Sequence, residues 1–329
     1  MKTYTKLRTD IAQACNVSTE DTTKMSVIDG YINDSVKTIC NLQGGKLRFL
    51  EATKDILTVA DQAGYQIPAK FRKLIDLSIY SGAGSASDTI YTPEMVFDPT
   101  KWTAIKQARY GTSSTPYFTY VENKQFLIEP IPSVSGNLIH LRGRINVPDM
   151  SIADYATGSI VSIANDGVDV IGTGTTWTAD MVGRYINIPQ TTAALGGDGL
   201  WYEIGAFTDA THITLLKPYN GTAIAAATTP YIIGQVSPIP EAYQMAIVYR
   251  ACALYWEDKS DGDKAKRFWL RYDGGNEAGY NKDYGGLISQ MLANEGETEE
   301  GAYIPPFGST ANFQKAPYYT AEQQASGLT

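Results

Sequence analysis

Apolar residues recur every three or four positions over residues 1–45. Leu7, Ile11 and Cys15 lie four apart, and the same spacing continues from Met25 to Ile39. This period is typical of amphipathic helices that bury one face. The pattern therefore predicts two helices, with the residues STED forming a cap before the second helix and a Gly-Gly pair ending it.

The pattern changes to alternation between residues 46 and 150. The run LIHLRGRI at 138–145 places its aliphatic side chains on one face and His140, with two arginines, on the other. The run FRKLIDLSIYSG also alternates and predicts a strand. The run YFTYVENKQFLIEP predicts a hairpin that turns at residues 122–124. This part of the chain should therefore contain a small β-sheet and hairpin region.

Residues 152–236 are rich in Thr, Gly, Ala and Ile, and they contain short apolar runs separated by glycine and asparagine turns. The runs are GSIVSIA, VDVIG, RYINI, LWYEIGAF, HITLLKP and PYIIG. Their spacing predicts about six strands in a small barrel or sandwich. In this pattern His212 alternates with Thr214 and is expected on the strand surface.

Helical periodicity returns after Pro238. The run IPEAYQMAIVYRACALYWED places Met245, Val248, Cys252 and Tyr255 on one stripe, and a proline stands near its start. The residues that follow predict further helix, interrupted at two Gly-Gly pairs. From residue 296 onward no apolar period remains, and aromatic residues and prolines are spaced along what we predict to be an extended arm.

These elements predict an α+β fold: a helical-bundle core with a small β-sheet and hairpin region, an inserted all-β domain and an extended C-terminal arm. The predicted boundaries are 1–151 and 237–295 for the two parts of the core, 152–236 for the inserted β domain and 296–329 for the arm.

Composition narrows the class of protein. Hydrophobic residues make up 43% of the 329 and charged residues 19%, which is typical of an ordered globular chain. The formal net charge of −8 disfavours a basic surface that would bind nucleic acid from outside. The 22 tyrosines fit either interfaces or strand-rich structure.

The cysteines and the N-terminal sequence indicate the cellular compartment of the protein. Cys15, Cys40 and Cys252 are far apart and odd in number, so we expect buried free thiols in a reducing compartment. The N-terminal run MKTYTKLRTDIAQ lacks the apolar core of a signal peptide, and no run approaches the length of a membrane helix. We expect a soluble, unexported chain with no membrane partner.

The run GTGTTWTADMVGRYINI, which begins at Gly172, has the glycines and hydroxyls of a phosphate-binding loop. A dinucleotide fingerprint needs a third glycine where this chain has Trp177, and a P-loop needs a lysine that is missing here. Arg184, the next cation, lies in the following predicted strand. The run therefore predicts a turn and strand edge, with Trp177 filling the end of a small barrel.

Other chemical motifs give no stronger case for catalysis. The chain has two histidines, no G-x-S-x-G and neither of the zinc patterns C-x-x-C and H-E-x-x-H. We therefore predict no catalytic residues, no cofactor and no metal site. Sequence alone leaves open whether two carboxylates stand at the spacing that a glycosidase needs, so a glycan-cleaving enzyme remains one hypothesis.

The chain resembles the head-to-tail adaptor, or connector, proteins of tailed bacteriophages. The resemblance rests on the N-terminal helices followed by DILTVADQAGYQIPAKFRKLIDL, on KWTAIKQARYG, on the hairpin TPYFTYVENKQFLIEPIPS and on the helix that follows PIPEAY. It covers residues 1–151 and 237–295. The 152–236 block is a departure from the family pattern, so its role cannot be carried over.

The resemblance implies a structural protein of the virion neck that assembles in the host cytoplasm. Copies would form a ring, commonly of twelve, that docks beneath the portal protein and offers a platform to tail or nozzle proteins. DNA would pass through the ring without sequence-specific binding. The alternative is a tail or fibre component whose β domain binds host-surface glycan.

The resemblance also implies that the C-terminal arm contacts the portal or a neighbouring subunit. The aromatic and proline residues of the arm would supply apolar contact area at a reduced entropic cost. The residues to which this role falls are Tyr303, Ile304, Pro305, Pro306, Phe307, Phe313, Tyr318 and Tyr319.

Overall fold

The computed structural model describes residues 1–108, 111–113, 116–190, 197–225, 229–274 and 286–297. The helices are α1 (Tyr4–Ala14), α2 (Thr22–Cys40), α3 (Pro99–Gln107), α4 (Met245–Asp258), α5 (Gly262–Asp273) and α6 (Leu287–Glu297). The strands are β1 (Glu51–Leu57), β2 (Gly64–Gln66), β3 (Phe71–Tyr80), β4 (Ile90–Tyr91), β5 (Glu94–Val96), β6 (Thr112–Ser113), β7 (Phe118–Glu122), β8 (Gln125–Glu129), β9 (Ile131–Pro132), β10 (Leu138–Ile145), β11 (Ser159–Ser162), β12 (Asp169–Thr173), β13 (Tyr185–Asn187), β14 (Trp201–Asp209), β15 (His212–Leu215) and β16 (Ile232–Gly234). The protein is therefore a mixed α+β protein, as its sequence predicts.

The two predicted N-terminal helices are confirmed. The Thr3 hydroxyl accepts a hydrogen bond from the Lys6 amide at 3.2 Å and caps α1. The Asp21 carboxylate accepts from the Lys24 amide at 3.0 Å and caps α2. Each such cap satisfies an amide that the first helical turn leaves open, and it stabilises the helix by about 1 kcal/mol.

One hydrophobic cluster joins both ends of the chain. It buries the apolar stripes of α1 and α2 against α4, and it also includes Tyr272 from α5 and Met291 from α6. On α4, Val248, Cys252 and Tyr255 of the predicted stripe are buried, whereas Met245 is only partly buried. Alanines elsewhere on α4 are buried too, so this helix is surrounded rather than one-sided.

Two four-stranded sheets enclose a second cluster. The first sheet has the order β1-β10-β3-β4 and the second β2-β8-β7-β5. Leu77 and Leu141, which pair across β3 and β10, pack with Phe126 and Ile128 from β8. The predicted hairpin is confirmed as β7 and β8, with Asn123 and its successor in the left-handed region at the turn.

Helix α3 was not predicted from the sequence. Asp98 caps it by accepting from the Thr100 amide at 2.8 Å, and Pro99 occupies its first position. Only Trp102 and Ile105 of the helix are buried. The Trp102 ring stacks on Tyr120 of β7, with 5.4 Å between the ring centroids. Helix α3 thus covers the outer side of the hairpin sheet.

The six strands predicted in the 152–236 block are present in the described residues. They form one sheet in the order β11-β12-β15-β14-β13-β16. Its two edges meet, because the Tyr155 amide donates to the Ile233 carbonyl at 2.8 Å and the Ile160 amide to the Thr229 carbonyl at 2.9 Å. The sheet therefore curls into a partly closed barrel around its own hydrophobic cluster.

Trp177 belongs to the hydrophobic cluster that this curled sheet encloses. The side chain is 2% exposed, and its indole Nε1 donates to the Tyr231 hydroxyl at 2.9 Å. That hydroxyl in turn donates to the Thr157 carbonyl at 2.5 Å. The buried polar atoms of both rings are therefore satisfied, which a tryptophan and a tyrosine in an apolar core require.

The two connections between the β block and the rest of the chain lie side by side. The side chain of Gln235 accepts from the Ser151 amide at 2.9 Å and donates to the Asp149 carbonyl at 2.7 Å. In addition, the Tyr4 amide donates to the Gln235 carbonyl at 2.8 Å. One glutamine thus ties the entry and the exit of the block to the start of α1.

Replacing Tyr231 with phenylalanine should lower the free energy of unfolding by about 1–3 kcal/mol, because the buried Trp177 Nε1 and Thr157 carbonyl each lose a partner. Urea denaturation followed by tryptophan fluorescence measures the change. Tyr117→Phe is the matched control, since the Tyr117 side chain is 54% exposed. An equal effect of the two substitutions would contradict the assigned role of the Tyr231 hydroxyl.

The stability of the folded protein should depend on pH through the carboxyl group of Asp154. Its Oδ2 accepts from the Thr3 hydroxyl at 2.7 Å, and its Oδ1 is buried without a partner among the described residues. Burial raises the pKa of this carboxyl in the folded protein. The stability that protonated Asp154 contributes is therefore present at acidic pH and is lost as pH rises through the raised pKa.

Asp154→Asn keeps this side chain uncharged at every pH. The variant should match the wild type in acid and become progressively more stable than the wild type towards neutral pH. Denaturation midpoints across this range measure the difference. Asp180→Asn, at an exposed position of the same block, is the control. A difference between wild type and Asp154→Asn that does not change with pH would contradict the assignment.

Candidate functional site

The predicted interface of the C-terminal arm lies outside the residues that the structure describes. This holds for all of its members: Tyr303, Ile304, Pro305, Pro306, Phe307, Phe313, Tyr318 and Tyr319. The described chain ends with α6 at Glu297. The Glu295 carboxylate accepts a hydrogen bond from the Arg48 amide at 2.8 Å, so the last turns of α6 lie against the segment that follows α2.

Both histidines lie at the surface beside an aspartate. His140 Nδ1 is 2.6 Å from Asp55 Oδ1 across β1 and β10, and His212 Nδ1 is 2.9 Å from Asp209 Oδ1. The hydrogen bond from His212, together with bonds from Thr211, lowers the pKa of Asp209 to about 2. No group of three or more His, Cys, Asp or Glu side chains within the described ranges is arranged to hold a metal.

The three cysteines are free thiols and buried, as predicted. Burial raises the pKa of Cys40 to about 12. The neighbouring Cys15 thiol and burial raise the pKa of Cys252. Because the thiolate is the reactive form, neither Cys40 nor Cys252 is a nucleophile at neutral pH.

The glycine-rich run at the end of β12 is explained by backbone conformation and packing. Gly174 has a φ of +64°, which only glycine adopts at low cost. A side chain at Gly172 would come within 2.7 Å of the Thr175 methyl and 2.8 Å of the Trp177 ring. Both glycines are therefore explained by the turn and by Trp177, which agrees with the sequence prediction of a turn.

The outer face of β1 and β10 carries paired charges. Arg142 donates two hydrogen bonds to Glu51 Oε2, from Nε at 3.0 Å and from Nη2 at 2.5 Å. Arg144 Nη2 is 3.9 Å from the other oxygen of the same carboxylate. The two hydrogen bonds from Arg142 fix the Glu51 carboxylate, while the Arg144 Nε is buried without a partner among the described residues.

A basic cleft lies between the C-terminal end of α2 and the neighbouring strands β3 and β10. Its volume is about 360 Å³. The residues that line this basic cleft are Lys37, Cys40, Asn41, Gly44, Gly45, Lys46, Leu50, Arg72, Lys73, Arg144, Ile145, Asn146 and Val147. Five of them are cationic, in a chain whose net charge is −8.

The geometry of the basic cleft follows from the end of α2. Three successive residues after α2, from Gln43 to Gly45, have positive φ and turn the chain sharply. A side chain at Gly45 would lie 3.3 Å from the Arg72 guanidinium, so glycine keeps the cleft open there. Arg72 Nη1 donates to the Asn41 Oδ1 at 2.6 Å, which holds the guanidinium at the rim.

An apolar groove adjoins the basic cleft. Its volume is about 720 Å³, and it shares three lining residues with the cleft. The residues that line this apolar groove are Gln66, Ile67, Pro68, Ala69, Phe71, Arg72, Lys73, Leu74, Met95, Phe97, Val121, Lys124 and Asn146. Phe97 is 80% exposed, which is unusual for a phenylalanine and typical of binding surfaces.

The sequence did not predict this pair of surfaces. Gly44 and Gly45 were interpreted only as a helix stop, and the cations of the cleft come from three distant segments. The one available signal was the cluster of charges in KLRF and FRKL, but its meaning depends on how β3 and β10 pair.

The sequence of this protein matches one known protein family, and the described helices do not include a membrane span. No helix within the described part of the chain has the length and apolar character needed to cross a bilayer. Among curated proteins, none matches the sequence significantly. The sequence does match the family of SU10 adaptor proteins over residues 2–169, slightly more than half of the chain.

The match covers α1, α2, both four-stranded sheets and the basic cleft, and it ends at the start of β12, inside the β block. It thus runs further into the β block than the sequence-based resemblance, while the likeness expected for residues 237–295 stays a prediction. The predicted resemblance to phage adaptor proteins is confirmed by this match. The chain belongs to the SU10 adaptor protein family.

Proposed function

We propose that the protein is a structural component of the virion neck that forms a ring, docks beneath the portal and provides the attachment platform for the tail. The observation that carries this proposal is the adaptor family match over residues 2–169. The ring is expected to contain twelve copies, and the role requires no catalytic step. Tail or nozzle proteins would bind the face away from the portal.

We further propose that the helices α1, α2, α4, α5 and α6 form the helical-bundle core of the adaptor. The shared hydrophobic cluster of these helices supports this assignment. Residues 152–236 would be an inserted β domain, which is supported by their separate cluster and by the Gln235 ties at their two ends.

The charge balance is compatible with DNA passing through such a ring. The net charge of −8 gives a protein that repels phosphates on average, and the repulsion is screened over about 8 Å at physiological salt. A channel with this character would let DNA slide without adhering. Sequence-specific binding plays no part in the proposal.

The function is tested by combining the purified protein with portal particles from the same virus. Electron microscopy and sedimentation should reveal a ring of adaptor copies attached to the portal vertex, and mature virions should contain the protein. A protein that stays monomeric in the presence of its portal and is missing from virions would contradict the proposal.

Deleting residues 301–329 should abolish attachment to the portal, because the deletion removes all eight predicted interface residues. The core should still fold, since the helices and strands that build the described hydrophobic clusters all lie before residue 301. Cosedimentation with portal particles measures attachment, and circular dichroism checks folding. Normal attachment of a folded truncated protein would exclude the arm as the portal contact.

Replacing residues 153–234 with a short Gly-Ser linker should leave the adaptor core folded and able to bind the portal. The physical reason is that Gln235 already holds residues 149–152 beside the exit of the block. Portal cosedimentation and infectivity are measured together. A variant that cannot fold would contradict the inserted-domain assignment.

The same deletion variant distinguishes the alternative function, glycan recognition by the β block. Retained head-to-tail joining combined with lost adsorption to host cells would favour a receptor-binding role for residues 152–236. Unchanged adsorption would leave the adaptor role as the one supported.

A further inference from the structure

The basic cleft and the apolar groove form one continuous depression, since Arg72, Lys73 and Asn146 line both. One end of the depression is cationic and the other end is apolar. Phe97 and Val121, at the apolar end, are 80% and 38% exposed. A surface with two such ends suits a ligand whose charge and apolar groups are likewise separated.

The cationic end carries charge that the described residues do not compensate. Lys37 pairs with Asp149, and Arg144 is held near Glu51. By contrast, Lys46, Arg72 and Lys73 have no carboxylate within 4.0 Å in the described part of the chain. The register of β3 and β10 also places Lys73 directly opposite Arg144.

Like charges directly opposite each other destabilise an antiparallel pair. An anion bound between them would remove this cost. The electrostatic free energy of the basic cleft is therefore lower when it holds an anion than when it holds only water. Three uncompensated cations around a cavity of about 360 Å³ can accept two or more carboxylates.

The apolar end of the depression distinguishes between two kinds of anionic ligand, a nucleic-acid backbone and an acidic peptide. A nucleic-acid backbone presents phosphates and sugars, and it would leave Phe97 and the aliphatic lining of the groove exposed. A peptide with acidic residues followed by aromatic and aliphatic residues would cover both ends at once. The chemistry of the depression thus favours an acidic, aromatic peptide.

This chain contains such a peptide, which starts at the end of α6. The run GETEEGAYIPPF at 296–307 has three glutamates among its first five residues and ends with Tyr303, Ile304, two prolines and Phe307. Between residues 295 and 329 the chain has five acidic residues and one lysine. The peptide is acidic first and apolar afterwards, so its two parts match the cationic end and the apolar end of the depression.

The chain also brings the start of this peptide to the rim of the cleft. Glu295 contacts the backbone of Arg48, which lies between Lys46 and Leu50, and both of these line the basic cleft. Ten extended residues span up to about 35 Å. A tether this short gives an effective concentration of about millimolar, so weak contacts suffice for docking within one copy.

We propose that residues 298–307 dock in the depression of the same copy, with Glu299 and Glu300 in the basic cleft and Tyr303 to Phe307 in the apolar groove. The docked state belongs to the protein before it meets a partner. It goes beyond the adaptor function and does not depend on it. Where the arm also contacts the portal, as proposed above, it must first leave this position.

The proposal is tested by photo-crosslinking in the full-length protein. Benzoylphenylalanine replaces Phe307, and mass spectrometry identifies the crosslinked peptides after irradiation. We expect crosslinks to residues 66–74, 95–97 or 121–124. In a mixture of isotope-labelled and unlabelled protein, these crosslinks should join peptides of the same label. The probe at Phe313, beyond the proposed segment, should crosslink to these residues much less.

A charge-swap experiment tests the basic cleft. Lys46→Glu with Lys73→Glu should lower the crosslink yield at least about three- to tenfold, since two ion pairs of about 0.3–0.7 kcal/mol each are lost. Adding Glu299→Lys and Glu300→Lys should restore the yield. Lys54→Glu with Lys217→Glu, at exposed positions outside the depression, is the control and should leave the yield unchanged.

Circular dichroism and thermal denaturation of each variant show whether it is folded. Crosslinks elsewhere, crosslinks mainly between labelled and unlabelled copies, or a charge swap that fails to restore the yield in folded protein would overturn the proposal. If the variant with Lys46→Glu and Lys73→Glu fails to fold, the variant with only Glu299→Lys and Glu300→Lys must show the lowered crosslink yield. None of these outcomes involves portal binding, so the proposed adaptor function is judged separately.

Discussion

The closure of one hydrophobic cluster by both ends of the chain is the constraint on which the rest of the structure depends. Met150, just before the β block, and Ile239, just after it, are buried in the same cluster as α1, α2 and α4. Each fully buried aliphatic side chain contributes about 1.5–3 kcal/mol, so neither end folds favourably without the other. The β block must therefore leave and return at one place, and the Gln235 ties stand at that place.

The sequence predicted the elements whose burial is regular. Periodicity alone was sufficient for α1 and α2, because one face of each helix is buried and the apolar residues keep a constant spacing. The six strands of the β block were likewise visible as short apolar runs between turns. Helix α3 was missed because only Trp102 and Ile105 of its nine residues are buried. What stabilises it is a contact with Tyr120, which lies in another element.

The basic cleft could not be predicted for a related reason. Lys46, Arg72 and Arg144 are far apart in sequence. Arg72 and Arg144 meet because β3 pairs with β10 in a particular register, whereas Lys46 follows the turn after α2. A shift of that register by one residue would exchange the faces of the sheet on which the side chains of one strand lie. His140 shows the same limit, since the sequence placed it beside arginines and the pairing of β1 with β10 added Asp55.

The net charge of this protein is negative, whereas the local charge of the basic cleft is positive. The overall charge of −8 suits a surface that DNA passes without binding, whereas the depression beside α2 concentrates cations. The acidic residues after α6 complement that depression in sign, and the hydrogen bond from the Arg48 amide to Glu295 holds the last turns of α6 beside the segment between Lys46 and Leu50. A chain that carries both the cationic surface and its acidic complement can hold its own arm before assembly. In the proposed docked state, the same acidic and aromatic residues become available for a partner only when binding to the partner is more favourable in free energy than docking in the depression.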